Sequence, residues 1–244
     1  MLEVGVVDYD DPRYPERLKE IPDAPKQLYY RGVWDEGLFE HCLAVVGARK
    51  MSHYGEEVTE TFAGGVAATG VTIVSGFMFG VDAAAHRAAL TAGGRTIAVM
   101  PCSVNVIHPG HQKKLYHQII DCGGLIISET DTGFEPRRWT FVRRNRIVAG
   151  LSQATLVVEA ALKSGSLVTA ALARRYRREL YAVPGPVTSE VSQGCNQLIR
   201  QGARMALEVD DLLAVYDKHM GVGQGAERHM RDLDPLERKI MDAL

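Results

Sequence analysis

The chain has 244 residues, with 28 Lys and Arg against 30 Asp and Glu and a formal net charge of −2. That length fits one α/β domain with a short appendage rather than two full domains, and it buries enough surface to need no covalent staples. A hydrophobic fraction of 46% with 24% charged residues excludes a disordered chain, and the charge balance excludes a protein basic all over, though not a basic patch.

The first residues, MLEVGVVDYDDPRY, are acidic and lack the apolar core of a secretion signal. No apolar run approaches the roughly 18 residues of a membrane span, so a cytoplasmic protein without membrane contact is expected. Residues 1–40 are rich in Pro and acids and read as a lead-in of one short helix and turns, packed on the main domain. From Leu43 the pattern changes. Apolar runs at 43–46, 71–75, 96–100, 125–128, 155–159 and 180–184 alternate with helix-compatible stretches at 54–69, 80–92, 111–121, 143–151, 166–178 and 194–203. Strands apolar on both faces and separated by helices predict a parallel sheet covered on both sides. Residues 41–216 are therefore expected to form one doubly wound α/β domain with six parallel strands. Residues 217–232 are polar and Gly-rich and read as a linker. Asp234, Pro235 and Glu237 then form a helix start, with Leu233, Leu236, Ile240 and Leu244 along one face. A helix this short is marginal alone; it reads as the start of a further domain cut short or as a docked terminal helix.

Open α/β sheets bind ligands beyond the carboxyl ends of their strands, and the predicted strands end in small or turn-forming residues. The first βα turn, VVGARKMSHYG, sets Arg49 just after Gly47, and the second strand ends in Ser75-Gly76. Neither G-x-G-x-x-G nor the P-loop pattern occurs, which excludes a standard dinucleotide site and a P-loop NTPase. An Arg fork at such a turn suits phosphate; the alternative is a surface Arg capping a neighbouring helix. In FEPRRWTFVRRNRIVAGLS (134–152), Arg137, Arg138, Arg143, Arg144 and Arg146 interleave with Trp139 and Phe141. Guanidinium groups for phosphates and rings for bases are the combination that tracks single-stranded nucleic acid. Arg144 can be shared with core contacts, and Asn145 can bond backbone or phosphate; the alternative for the segment is a solvated basic helix face. Lys163 precedes Ser164-Gly165-Ser166 at a helix start, an anion-binding N-terminus with a cation beside it. The RRYRR run at 174–178 ends a helix, where cations belong. Asp82 and His86 are spaced as a base and its orienter or as a packing pair. The four Cys form no C-x-x-C pair, and spacing yields no nucleophile–base pair and no ligand set. No catalytic residue, metal or cofactor is expected.

Taken together, the motifs resemble the DprA/Smf family of bacterial DNA-processing proteins. The resemblance covers residues about 8–216 and is carried by YPERLKEIPDAPKQLYYRG (14–32), VGARKMSHYG (46–55), SGFMFGVDAAAH (75–86), IHPGHQKKLY (107–116), ISE (127–129), FVRRNRIVAGLS (141–152), VVEAALKSGSLVTAALA (157–173) and AVPGPVTSEVSQGCNQLIRQGA (182–203). It implies an extended Rossmann-like domain, a homodimer, single-stranded DNA binding, and loading of RecA onto that DNA during natural transformation. Carried over by position, Gly47, Arg49, Arg138, Phe141, Arg144, Asn145, Arg146 and Lys163 to Ser166 would line the DNA pocket. The family usually has a helical domain before this part, with no counterpart here, and often a winged helix after it, whose start residues 233–244 resemble. The fold also resembles that of cytokinin-type nucleoside phosphoribohydrolases, which implies a nucleotide-binding enzyme as the alternative. Those carry P-G-G-x-G-T-x-x-E at a turn that here reads KSGSLVTA, without the Glu.

Overall fold

A computed structural model of the chain describes residues 4–220. The lead-in is more than helix and turn: β1 (Gly5–Asp8) and β2 (Gln27–Gly32) flank the short helix α1 (Glu16–Lys19), and both strands join the main sheet. The six apolar runs follow as β3 (Cys42–Gly47), β4 (Thr72–Ser75), β5 (Thr96–Val99), β6 (Leu125–Ser128), β7 (Ala154–Val158) and β8 (Glu179–Ala182), with a two-residue edge strand β9 (Arg204–Met205). The order is β1-β2-β6-β5-β4-β3-β7-β8-β9. Every pairing from β6 to β9 is parallel, and β2 runs antiparallel to both of its neighbours.

The connecting helices are α2 (His53–Ala68), α3 (Val81–Thr91), α4 (Lys113–Asp121), α5 (Arg138–Leu151), α6 (Ser166–Arg175), α7 (Gln193–Arg200) and α8 (Val209–Met220). Alternation along β3 requires both faces to be covered. Cys42, Ala44 and Val46 pack in one core with residues of α1, α5, α6 and α7. Leu43 and Val45 pack in the other with α2, α3 and α8. The fold is thus the expected doubly wound, Rossmann-like α/β sheet. Its strand order reverses between β3 and β7, the point where such sheets open a crevice.

Two boundaries differ from the sequence reading. Helix α5 begins at Arg138 rather than near 143, because Thr140 caps it: its hydroxyl accepts from the Arg137 amide at 3.1 Å and donates to the Arg137 carbonyl at 2.7 Å. Helix α8 runs through Met220, into the stretch read as a linker. The rest of that stretch and the terminal helix lie outside the described residues. Among the described residues, no helix is long and apolar enough to cross a membrane.

Candidate functional site

A cavity of about 540 Å³ opens at the reversal point. It is lined by Gly47 to Lys50 after β3, Gly76 and Met78 after β4, Asp82 of α3, Phe141, Arg144 and Asn145 of α5, and Lys163 to Ser166 ahead of α6. Backbone packing dictates the small residues. A Cβ on Gly47 would lie on the Val158 carbonyl of β7, and a Cβ on Gly76 would meet the Arg144 guanidinium at 2.5 Å and the Asp82 carboxylate at 2.6 Å. The loop after β4 is held by Phe77, a bulky residue at φ 57° in a region such residues avoid. Its fully buried ring, packed on His86 and Tyr116 with centroids 5.9 and 6.1 Å away, keeps it there. Gly80, at φ 67°, then brings the Val81 amide to the Ala48 carbonyl at 3.2 Å, tying the two loops together.

The loop after β3 has its own anchor. Glu159, at φ 52° just beyond β7, is buried, and its carboxylate accepts from the Ser52 amide at 2.8 Å and the Ser52 hydroxyl at 2.5 Å. The Ser52 hydroxyl accepts in turn from the Gly55 amide at 3.1 Å, so Glu159 fixes the start of α2 and the chain from Arg49 to Ser52. Spacing offered Glu159 no partner because Ser52 is 107 residues away.

Within the cavity the charges divide into held and free. Arg144 is only 4% exposed; its guanidinium donates to the Gly76 and Val99 carbonyls. Burial lowers its pKa to about 10 against the opposing pull of Asp82. Burial raises the Asp82 carboxyl, against the pull of Arg144 and of the Met78 amide 3.2 Å away. Arg49, Lys50 and Lys163 are exposed and, among the described residues, have no carboxylate within ion-pair distance. Arg49 lies over the half-buried Phe141 ring, 5.5 Å from its centroid. Gly165 is the N-cap of α6; the Ser166 amide donates to the Ser164 hydroxyl at 3.4 Å, the Leu167 and Val168 amides donate to the Ser164 and Gly165 carbonyls, each at 3.2 Å, and the Ser164 and Ser166 hydroxyls are 2.8 Å apart. Asn145 bonds to its neighbour Arg144, accepting from Nε at 3.3 Å.

Ser75, Arg137, Arg138, Arg143 and Arg146 do not line this cavity. Ser75 is buried and donates to the Val45 carbonyl at 2.6 Å. Arg146 is buried against Glu129, with bonds of 3.0 and 2.8 Å, and 3.3 Å from Asp23. Arg143 reaches the same Glu129 at 3.0 Å and lies over the exposed Trp139, lining a separate cavity of about 60 Å³. Arg137 lies over Phe134, 5.8 Å from its centroid, and Arg138 is exposed at the start of α5. The sequence reading missed Lys50 and Met78 as lining residues, and Glu159 as an anchor. Among the described residues no group of three His, Cys, Asp or Glu could hold a metal ion.

Asp82 and His86 do not form a base–orienter pair. The His86 Nδ1 lies 2.7 Å from the Thr96 hydroxyl, which itself donates to the Ile73 carbonyl at 2.6 Å. The ring therefore donates through Nδ1, and burial holds its pKa down to about 3. An unfolded chain protonates this group near pH 6.5. Between about pH 6.5 and 3 the unfolded state thus binds more protons, and stability falls as pH falls. Urea midpoints measured across that range should show a shallower fall for His86→Gln.

Comparison with known proteins covers nearly the whole domain. The family model for DNA recombination-mediator protein A matches residues 5–217. Protein Smf of Escherichia coli K12 is 42% identical over 208 residues, 85% of this chain and 55% of that protein. The chain spans little more than half the length of such curated relatives. Among solved structures, DNA processing protein A from Streptococcus pneumoniae matches with a TM-score of 0.81 and 38% identity, over 87% of this chain and 74% of that one. DNA processing protein A from Helicobacter pylori, with a unique single-stranded DNA binding mode, matches with a TM-score of 0.78 and 32% identity, over 89% and 97%.

Proposed function

Because the chain belongs to the DNA recombination-mediator protein A family, we propose that it binds single-stranded DNA in the cavity at the β3–β7 reversal. One observation carries this reading. The free cations Arg49, Lys50 and Lys163, the Ser164 and Ser166 hydroxyls at the start of α6 and the half-buried Phe141 ring meet in one open cavity. Cations and a helix start serve phosphates, and the ring serves a base. Arg137, Arg138 and Arg143 lie outside the cavity and extend the cationic surface along α5. Arg144 and Asn145 shape the wall, Ser75 and Arg146 support it from behind, and Gly47 and Gly76 let β7, Arg144 and Asp82 close in on the loops that bear the cations. We further propose that it works in the cytoplasm as a homodimer that protects incoming strands and passes them to RecA during transformation; membership of a recombination-mediator family supports a role on recombining DNA and no more than that.

A gel shift with single-stranded and duplex oligonucleotides of equal length should favour the single strand, with little dependence on sequence. If about four phosphates are neutralised, log K should fall against log[salt] with a slope of roughly −3, about 0.7 per phosphate; a slope near zero would overturn the reading. Preloading a strand with the protein should hasten RecA ATP hydrolysis on it. The hydrolase alternative rests on one observation, the carboxyl of Asp82 in the cavity with its pKa raised. Release of adenine from AMP above a protein-free control would carry that alternative, and none is expected.

A further inference from the structure

A second cavity, of about 200 Å³, lies at the amino ends of β7, β8 and β9, the opposite end of the sheet. Four Arg line it: Arg17 of α1, Arg177 and Arg178 in the turn between α6 and β8, and Arg204 of β9. Two carboxylates oppose them. Glu20 pairs with Arg178 at 2.6 Å, and Glu179 lies 3.5 Å from Arg204. Among the described residues, Arg17 and Arg177 have no carboxylate within ion-pair distance.

The donors are also incompletely used. The Arg178 side chain is only 8% exposed, and its Nη2 donates to the Arg17 and Gly150 carbonyls at 2.8 and 3.3 Å. Its buried Nε has no hydrogen-bond partner, and neither has the buried Nε of Arg17. Burial, with Arg178 nearby, lowers the Arg17 pKa. The two Nε groups are closed off from the cavity, but four guanidinium groups gathered in one cleft against two carboxylates repel one another, and a bound anion offsets that cost. Arg177 adds a backbone cost, since it stands at φ 57° just past α6, where glycine is the usual residue.

We propose that this cavity binds a phosphomonoester dianion. Guanidinium forks match phosphate oxygens two at a time. The two positive charges left uncompensated match a monoester, which carries about −1.5 to −2 near neutral pH, better than a singly charged diester. The group can arrive on a free phosphorylated small molecule or at the 5′ end of a DNA strand. The proposal does not depend on strand binding in the first cavity.

The test uses the chain carrying Arg49→Ala and Lys163→Ala, so that the first cavity contributes little, with inorganic phosphate as the probe. Calorimetry should find one phosphate per chain, and phosphate should raise Tm. Adding Arg17→Gln should lower the affinity about tenfold or more, the loss of one charge-assisted hydrogen bond. Without phosphate, that variant should melt no lower than its parent, because a half-buried charge with no carboxylate partner has gone. Arg204→Gln, at a half-exposed position where the side chain also donates to the Tyr181 hydroxyl at 3.2 Å, should also weaken phosphate binding, with Tm in the absence of phosphate lowered only slightly. No phosphate binding by the parent, or undiminished binding by both variants, would overturn the proposal. A 5′-phosphorylated oligothymidylate bound more tightly than its 5′-hydroxyl form would support it with a DNA end as the source; phosphate binding without that preference would support it with a small molecule.

Discussion

Arg144→Met should cost about 3–5 kcal/mol of stability, the penalty for breaking a buried charged set by removing one member, and should weaken strand binding at temperatures where the protein remains folded. Methionine fills much of the space but leaves the Gly76 and Val99 carbonyls without their donor. It also removes the strongest charge opposing burial of the Asp82 carboxylate and leaves it with the Met78 amide, so the Asp82 pKa should rise further. The Gly76 backbone then loses its tie to α5, and that loop lines the cavity. Urea denaturation decides the matter. Adding Asp82→Asn to Arg144→Met should recover part of the loss, because the uncompensated charge is gone while the two carbonyls stay unmet. Arg143→Ala is the contrast: that side chain is 56% exposed in its pair with Glu129 and should change stability by no more than about 0.5 kcal/mol. A loss below 1 kcal/mol for Arg144→Met would mean that the buried guanidinium is not what holds the loop.

The six central strands were legible because a strand buried on both faces must be apolar throughout, as Leu43 to Val46 and Leu125 to Ile127 are. β1 and β2 escaped notice because they are partly exposed and lie in a Pro-rich segment, where Tyr29 and Tyr30 look no different from loop residues. The Arg cluster was visible as composition but not as direction. Three Arg within four positions meet three fates: Arg143 half-exposed, Arg144 buried on backbone carbonyls, Arg146 buried on Glu129. Helical spacing held a partial signal. Arg144 continues the stripe of Ile147, Val148 and Leu151, all buried, so a position i, i+3, i+4, i+7 marks it as inward-facing. Nothing comparable pointed to Glu129 or Asp23 as partners for Arg146, since both lie on other elements and pair with it only through the fold.

The last expected result separates charge from stacking within the first cavity. Phe141→Ala should weaken single-strand binding by roughly 1–3 kcal/mol, the worth of one base stacked on a ring, with the salt slope nearly unchanged. Arg49→Ala should make the slope shallower by about 0.7, the share of one phosphate on a single strand. The geometry allows both roles. Arg49 covers the ring at 5.5 Å, and the other aromatic contact of Phe141 is edge-on, from His108 at 5.7 Å. The competing role for Phe141 is packing, and loss of a core Phe would cost about 3–5 kcal/mol of stability through the cavity left behind. Against it, Phe141 is half-buried and belongs to none of the three buried clusters. Thermal melting of Phe141→Ala beside its affinity discriminates between the two. An intact melting temperature with weakened, still salt-sensitive binding assigns the ring to a base. A melting temperature lowered by the amount a core cavity demands would assign it to the fold, and the cavity would then bind DNA through its charges alone.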